Sequence, residues 1–214
     1  LLDGTKEDAS ILGQVTFGLQ IPDMSLSRDE ELHWALGTPT PGTTNQRVPL
    51  QSPWNLKINE WLAEGARIFN DDFVEIYNPS PLPVDISGFH LTDSPAGNSA
   101  LHRITQHSYI PAHGHIAFLA TGKTSGDARD LGFKLSAQRE MISLLTPELQ
   151  VIDTITYGPQ KTDVSQGRAT DGAATFAYFT LPTPGKSNNA SDPNETALIA
   201  QLRITEIMYN PTGG

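Results

Sequence analysis

At 214 residues, with 37% apolar and 18% charged side chains, the chain carries enough apolar material for a packed core and too much for wholesale disorder. A formal net charge of −10 repels phosphate backbones and argues against nucleic-acid binding through a basic face. No Cys is present, which excludes disulfides, thiolate metal sites and a Cys nucleophile.

Gly 18 and Pro 16 favour short strands joined by tight turns, and no window approaches the roughly 18 continuous apolar residues of a membrane-spanning helix. The opening LLDGTKEDAS has neither Met nor a charged-then-apolar leader, so residue 1 reads as a point inside a longer protein.

In chain order, GQVTFGLQIPDMSLSR (13–28) and TPTPGTTN (38–45) come first, and a Pro-bearing linker covers 47–54. LKINEWL (56–62) alternates as a half-buried strand does. DFVEIYN (72–78) alternates again, with Phe73, Glu75 and Tyr77 on one face and Val74 and Ile76 on the other. VDISGFHLTD (84–93) reads as a third strand with Gly88 as a bulge or close approach. LHRIT (101–105) is a short strand, and IPAHGHIAFLA (110–120) sets a Pro-x-x-Gly turn before an apolar one. GFKLS (132–136), MISLLTP (141–147), VIDTITYG (151–158) and ATFAYFTLPTPG (174–185) complete the series. Turn signals every 8–15 residues and no sustained helical period predict an all-β sandwich or barrel.

The chain also repeats itself. LKINEW (56–61) matches LRITEI (202–207) at an offset of 146 residues. GQVTFGLQIPDMSLSR matches DTITYGPQKTDVSQGR (153–168), with Thr16, Gly18, Gln20, Asp23, Ser25 and Arg28 identical. TPTPGTTN matches LPTPGKSN (181–188). Three matches in one order predict a unit that runs from an L-x-I-x-E strand to a P-T-P-G-x-x-N terminator. The complete copy is 55–188. Residues 1–46 read as the C-terminal part of a preceding copy, 189–201 as a second linker and 202–214 as the first strand of a following copy.

INEW, DFVEIYNPS, VDISGFHLTD, YIPAHGHIAFLA, MISLLTPELQVIDTITYG, SQGRATDG and PTPGKSN, in that order, resemble a lamin tail domain of bacterial type. The resemblance implies an immunoglobulin-like β-sandwich, borne on large secreted or surface proteins, often in tandem and beside other extracellular modules or hydrolase domains. The motif positions Glu60, Glu75, Asn78, Gly88, Gly158, Arg168, Pro184, Gly185 and Asn188 are then expected to serve the fold. One departure stands out: AEGARIFN (63–70) lacks the Pro/Gly-rich turn of MYNPTGG (208–214), so the first loop differs between copies.

Glu60 and Glu75 sit inside apolar strands and could form an acid/base pair or bind a cation. Buried acids are more often hydrogen-bonded parts of a fold, and Glu206 repeats Glu60, which favours the structural role. Four histidines fall within fourteen positions, and a strand would put His113 and His115 on one face, as a metal pair needs. No carboxylate is spaced to complete that ligand set. Asp71, Asp72 and Asp93 lie in acidic loops that could offer oxygens to Ca²⁺, although no loop has the EF-hand pattern.

Trp54, Trp61, Tyr109 and Phe179 are the aromatics to consider for stacking on sugar rings, against the ordinary expectation that they fill the core. No G-x-S-x-G elbow and no phosphate-binding Gly-rich loop occur. The linker sequences NAS (189–191) and NET (194–196) match glycosylation acceptors, which in a bacterium are simply polar linker.

The sequence therefore predicts a non-catalytic module, without cofactor, of a secreted or cell-surface bacterial protein. It would act as a spacer, an anchor or a protein-interaction domain. Its partners would be other domains of the same longer chain and protein or glycan at the cell surface, with no nucleic acid and no membrane span. The alternative is a glycan- or Ca²⁺-binding module that targets a neighbouring hydrolase; a hydrolytic enzyme stands third.

Overall fold

Alternating apolar positions and frequent turns leave the chain one economical way to bury its side chains, which is to stack antiparallel sheets face to face. The computed structural model describes residues 2–3, 10–11 and 13–188, apart from 68, 96, 98–101 and 124–125. The expectations for the linker 189–201 and the strand at 202–214 lie outside the described residues.

Sixteen strands are described: β1 (Leu2–Asp3), β2 (Ser10–Ile11), β3 (Ser25–Arg28), β4 (Trp34–Thr38), β5 (Gln46–Arg47), β6 (Lys57–Leu62), β7 (Asp72–Tyr77), β8 (Val84–Asp85), β9 (His90–Thr92), β10 (His102–Arg103), β11 (Tyr109–Ile110), β12 (His115–Ala120), β13 (Glu140–Leu145), β14 (Val151–Tyr157), β15 (Ser165–Arg168) and β16 (Phe176–Phe179). A single 3-10 turn, Pro53–Asn55, precedes β6. A five-stranded sheet in the order β12-β7-β6-β15-β16 faces a four-stranded sheet, β10-β9-β13-β14. Between them Ile58, Val74, Ile76, Ile116 and Phe118 meet Leu91, Ile142, Leu144 and Ile155 in one apolar cluster. Full burial of each such side chain stabilises the fold by roughly 1.5–3 kcal/mol. The molecule is an all-β sandwich, one of the two architectures that its turns and alternation predict, and it is immunoglobulin-like as the resemblance implies.

Two expectations need correction. Residues 84–93 do not form one strand. Gly88 adopts φ +73°, and the chain turns there from β8, which pairs with β11, to β9 in the four-stranded sheet. GFKLS is not a strand either. Phe133 and Leu135 still reach the core, and the stretch is tied to the β12 region by Gly122 N–H donating to the Phe133 carbonyl at 3.0 Å. SQGR, to which the sequence assigns no element, forms β15 between β6 and β16.

Residues 13–48 fold against the sandwich instead of standing apart from it. Their strands β3-β4-β5 form a separate three-stranded sheet. Leu19, however, belongs to the main apolar cluster, and buried Tyr109 packs with Ile21 and Leu36. Backbone bonds hold the junction: Gly18 N–H donates to the Gln106 carbonyl (2.9 Å) and Tyr109 N–H to the Leu19 carbonyl (2.9 Å). Leu19 N–H donates to Ser108 Oγ at 3.1 Å. Replacing Leu19 with Ala should therefore lower the urea-derived stability of the whole sandwich by about 2 kcal/mol, the low end for a buried Leu. A change below about 0.5 kcal/mol would show that Leu19 is not part of the common core.

Candidate functional site

The polar residues of the LKINEW motif should alternate outward, yet Asn59, Glu60 and Trp61 are all buried. The cause is a β-bulge. Ile58 pairs with Ile76 and Glu60 with Glu75, so Asn59 and Glu60 together oppose Glu75. The extra residue resets the alternation. Ile58 and Trp61, three apart, both face the core, which a regular strand forbids. Val74 and Ile76 on β7 face the core as their alternation predicts, which leaves Glu75 on the opposite face beside Asn59 and Glu60.

Two carboxylates directly across a strand pair repel one another and lose hydration when buried. Burial, the neighbouring Glu60 and Asp171 push the Glu75 carboxyl up to about 8, and burial raises that of Glu60 as well. The chain answers with donors from β15 and the turn at 183–186, together with Asn59. Thr183 N–H reaches both oxygens of Glu60 at 3.0 and 3.2 Å, the Thr183 hydroxyl donates to Oε2 at 2.8 Å, and Ser165 Oγ donates to Oε1. Gly185 N–H donates to Glu75 Oε2 at 2.6 Å, and Asn59 Nδ2 to Oε1 at 3.0 Å. Thr183, Pro184, Gly185 and Lys186 form a turn closed by Lys186 N–H on the Thr183 carbonyl (3.0 Å), with Gly185 at φ +79°. Pro at the second and Gly at the third position are what this type II geometry requires. The turn leaves the Gly185 N–H free for Glu75.

Asn188 completes the closure. Its Nδ2 donates to the Arg168 carbonyl (2.6 Å) and the Asn59 carbonyl (3.3 Å), and its N–H to Asp171 Oδ1 (2.9 Å). Hydrogen bonds from Asn59, Asn188 and Ser187 hold the Asp171 carboxyl below its usual range despite its burial. Arg168 ties the sheets together: Nε donates to the Ile58 carbonyl at 2.9 Å, and Nη2 pairs with Asp153 at 2.8 Å, while Asp153 also accepts Ile58 N–H at 2.9 Å. Gly167 is required beside them, because a Cβ there would lie 2.6 Å from the Asn59 carbonyl oxygen.

Residues 181–188 thus form a strap that two buried carboxylates and two asparagines fasten across β6 and β7. Both carboxyl groups are fully buried and hydrogen-bonded, so neither is open to a substrate, as a general acid or base must be.

Other candidates separate. Asn78 ties two turns together, donating to the Leu82 and Pro111 carbonyls, both at 2.9 Å. Gly158 has open space where a Cβ would stand, so nothing in the structure demands glycine there. The histidine pair is not formed: His113 lies in the Pro111–Gly114 turn at φ +50°, and only His115 enters β12. The His115 ring stacks on Tyr77 with centroids 4.6 Å apart, and its Nε2 stands 3.2 Å from Asp171 Oδ2, a polar contact outside hydrogen-bond alignment. Asp71 is exposed, whereas Asp72 accepts Gly65 N–H at 3.1 Å; burial raises the carboxyls of Asp72 and Asp93. Among the described residues, no three His, Cys, Asp or Glu side chains converge as a metal site. Of the aromatics, Trp61 and Tyr109 are buried in the core and Phe179 is partly covered, whereas half of Trp54 is exposed. Asn59, Ser165, Gly167, Asp171 and Thr183 were not singled out in the sequence. For Asn59 the sequence carries no signal, because the bulge is defined by the pairing with β7.

The family model for the Lamin Tail Domain matches residues 49–159, just over half of the chain. The chain belongs to the lamin tail domain family. This is a family of structural immunoglobulin-like domains. The match takes in the bulge and both carboxylates of this lamin tail domain and ends before β15 and the strap that satisfy them. No curated protein and no solved structure was found to match the chain.

The folded Glu75 carboxyl holds its proton up to about 8, whereas an unperturbed one releases it near 4.5. Between those values the native state binds more protons than the unfolded state, so stability falls as pH rises through the window. Raised Glu60, Asp72 and Glu140 act in the same direction. Urea titrations from pH 4.5 to 8 should show this decline, and Glu75→Gln should flatten it and exceed the wild type at pH 8. A wild-type stability that rises across the window would contradict the assignment.

Proposed function

We propose that this lamin tail domain is one module of a tandem array, acting as a non-catalytic spacer or anchor in a large secreted or cell-surface bacterial protein. The observation that carries the reading is a hairpin found twice. In both places a Ser-x-x-Arg strand pairs with an aromatic-led strand, Arg28 with Trp34 and Arg168 with Phe176. Each Arg lies over the paired ring, at 4.7 and 5.2 Å.

The details around the hairpins also coincide. Asp23 and Asp163 share a positive φ, of 60° and 56°, just before them. Thr43 N–H closes a turn on Thr40 as Lys186 N–H does on Thr183, with Gly42 and Gly185 at φ +76° and +79°. Asn45 Nδ2 donates to the Arg28 carbonyl at 2.9 Å, as Asn188 Nδ2 does to that of Arg168. Matching side-chain and turn chemistry at matching sequence positions supports two copies of one unit.

Because the first hairpin is packed through Leu19 and Tyr109 onto the sandwich that follows it, successive modules would meet at a stiff junction. A stiff junction suits a spacer. Partners at the surface would be protein or glycan, reached by exposed side chains and not by the closed carboxylates. In ¹⁵N relaxation measurements, residues 13–48 and 56–188 should share one rotational correlation time. A shorter time for 13–48 would overturn the stiff-junction reading.

A further inference from the structure

The chain enters the sandwich on β6 and comes back to β6 on leaving it. Leu56 and Ile58 carry the incoming strand into the apolar cluster, and Asn188 Nδ2 donates to the carbonyl of Asn59 on that strand. Asn59 Nδ2 returns a bond to Asn188 Oδ1 at 3.2 Å, and Thr183 donates to the next residue, Glu60. The two segments therefore run antiparallel, with exit beside entry. Arg168, whose carbonyl also accepts Asn188 Nδ2, is itself bonded through Nε to the Ile58 carbonyl. First strand and strap are joined directly, without passing through the core.

The two sides of that joint are held by different forces. β6 is laddered to β7 and to β15, and Leu56, Ile58 and Trp61 lie in the main apolar cluster. None of residues 181–188 belongs to either apolar cluster, and they are attached to β6, β7 and β15 through hydrogen bonds. Apolar burial is non-directional and yields in proportion to area. A hydrogen bond weakens steeply once its distance and angle are lost. A fastening made of such bonds resists a small displacement and then fails abruptly.

We propose that the strap is a tension lock for the sandwich. A pull on the chain on either side of residues 56–188 reaches Asn188 first, then Gly185 and then Thr183. The sandwich opens only after those bonds have broken. On the tandem-module reading above, neighbouring modules supply the pull, and the lock is what lets a spacer bear load. Glu60 and Glu75 then hold the strap against force as well as against solvent, because they anchor the two backbone donors that lie behind Asn188.

The chain has no Cys, so paired handles can be placed at will. In the full chain, Ser52→Cys with Ala190→Cys loads the strap in an optical trap. Ser52→Cys with Glu148→Cys loads the sandwich and leaves the strap out of the path; Ser52 and Glu148 are both exposed. Forced unfolding reads the unfolding rate. Across the strap the wild type should unfold in one step, and Asn188→Ala should unfold about tenfold faster at equal force. Ile142→Val, a modest loss from the core, should change that rate less than about twofold. Between 52 and 148 the order of the two effects should reverse. Should Asn188→Ala fail to fold, Thr183→Val removes only the hydroxyl donor to Glu60 and should show the same split at about threefold. Acceleration by the strap variant that is absent across the strap, or equal in both directions, would overturn the lock. So would a short lengthening of the wild type before the sandwich opens, because the strap would then yield without holding anything. The relaxation test of the junction is separate. One correlation time without the directional split would sink the lock and leave the spacer reading intact, and the split with two correlation times would do the reverse.

Discussion

Two carboxylates placed opposite each other on neighbouring strands, with water removed from both, set the terms for this fold. Left alone, Glu60 and Glu75 would repel and would cost the desolvation of each charge. The structure keeps them because a bulge at Asn59 turns both to one face and the turn at 183–186 brings N–H and hydroxyl donors to that face. No residue of the strap belongs to either apolar cluster. Its attachment is polar, and the carboxylates act as the fastening points. A sandwich that could have ended at β16 is closed by a strap instead.

The same requirement explains why the motifs lie so far apart in sequence and so close in space. The Asn-Glu pair of β6, the Glu of β7, the Ser and Gly of β15 and the Pro-Gly-x-x-Asn terminator each supply one part of a single network. None is useful alone. Asn59 illustrates this, since its Nδ2 meets Glu75, Asp171 and Asn188 while its Oδ1 accepts the Gly172 N–H at 3.1 Å. Arg168 and Asp153 then join that network to the four-stranded sheet, so the polar closure and the apolar core stabilise one another. In the N-terminal hairpin a turn of the same kind, an Arg–aromatic contact and an Asn bond occur as well, and the buried Ser25 and Ser27 hydroxyls have no hydrogen-bond partner there.

Much of this was legible in the residues. Alternation placed Val74 and Ile76 inward and Glu75 on the other face, and the recurrence of Glu60 as Glu206 argued for a structural acid. The Pro-Thr-Pro-Gly stretch carries its own turn geometry, because Pro and Gly each permit one position of it. What escaped the sequence was long-range. No local pattern says that Asn59 is a bulge, since an extra residue in a strand is defined by the strand beside it. Nor does His115 announce Asp171, which lies far along the chain. GFKLS has the composition of a strand but meets the β12 region through a single backbone bond, from Gly122 N–H to the Phe133 carbonyl, and not through a ladder, and Gly88 permits a bulge or a change of sheet equally well until the pairing of β8 and β9 is known. Sequence periodicity reports which side of an element is buried. It does not report which neighbour buries it.

The account's central claim is that Glu60 and Glu75 hold the strap. The most direct measurement is amide hydrogen exchange at Thr183 and Gly185, the two backbone donors to those carboxylates. The account predicts protection at both amides comparable to that of β6 and β7, and its loss at Gly185 in Glu75→Ala and at Thr183 in Glu60→Ala. Exchange of both amides in the wild-type protein at the rate of an exposed loop would contradict it.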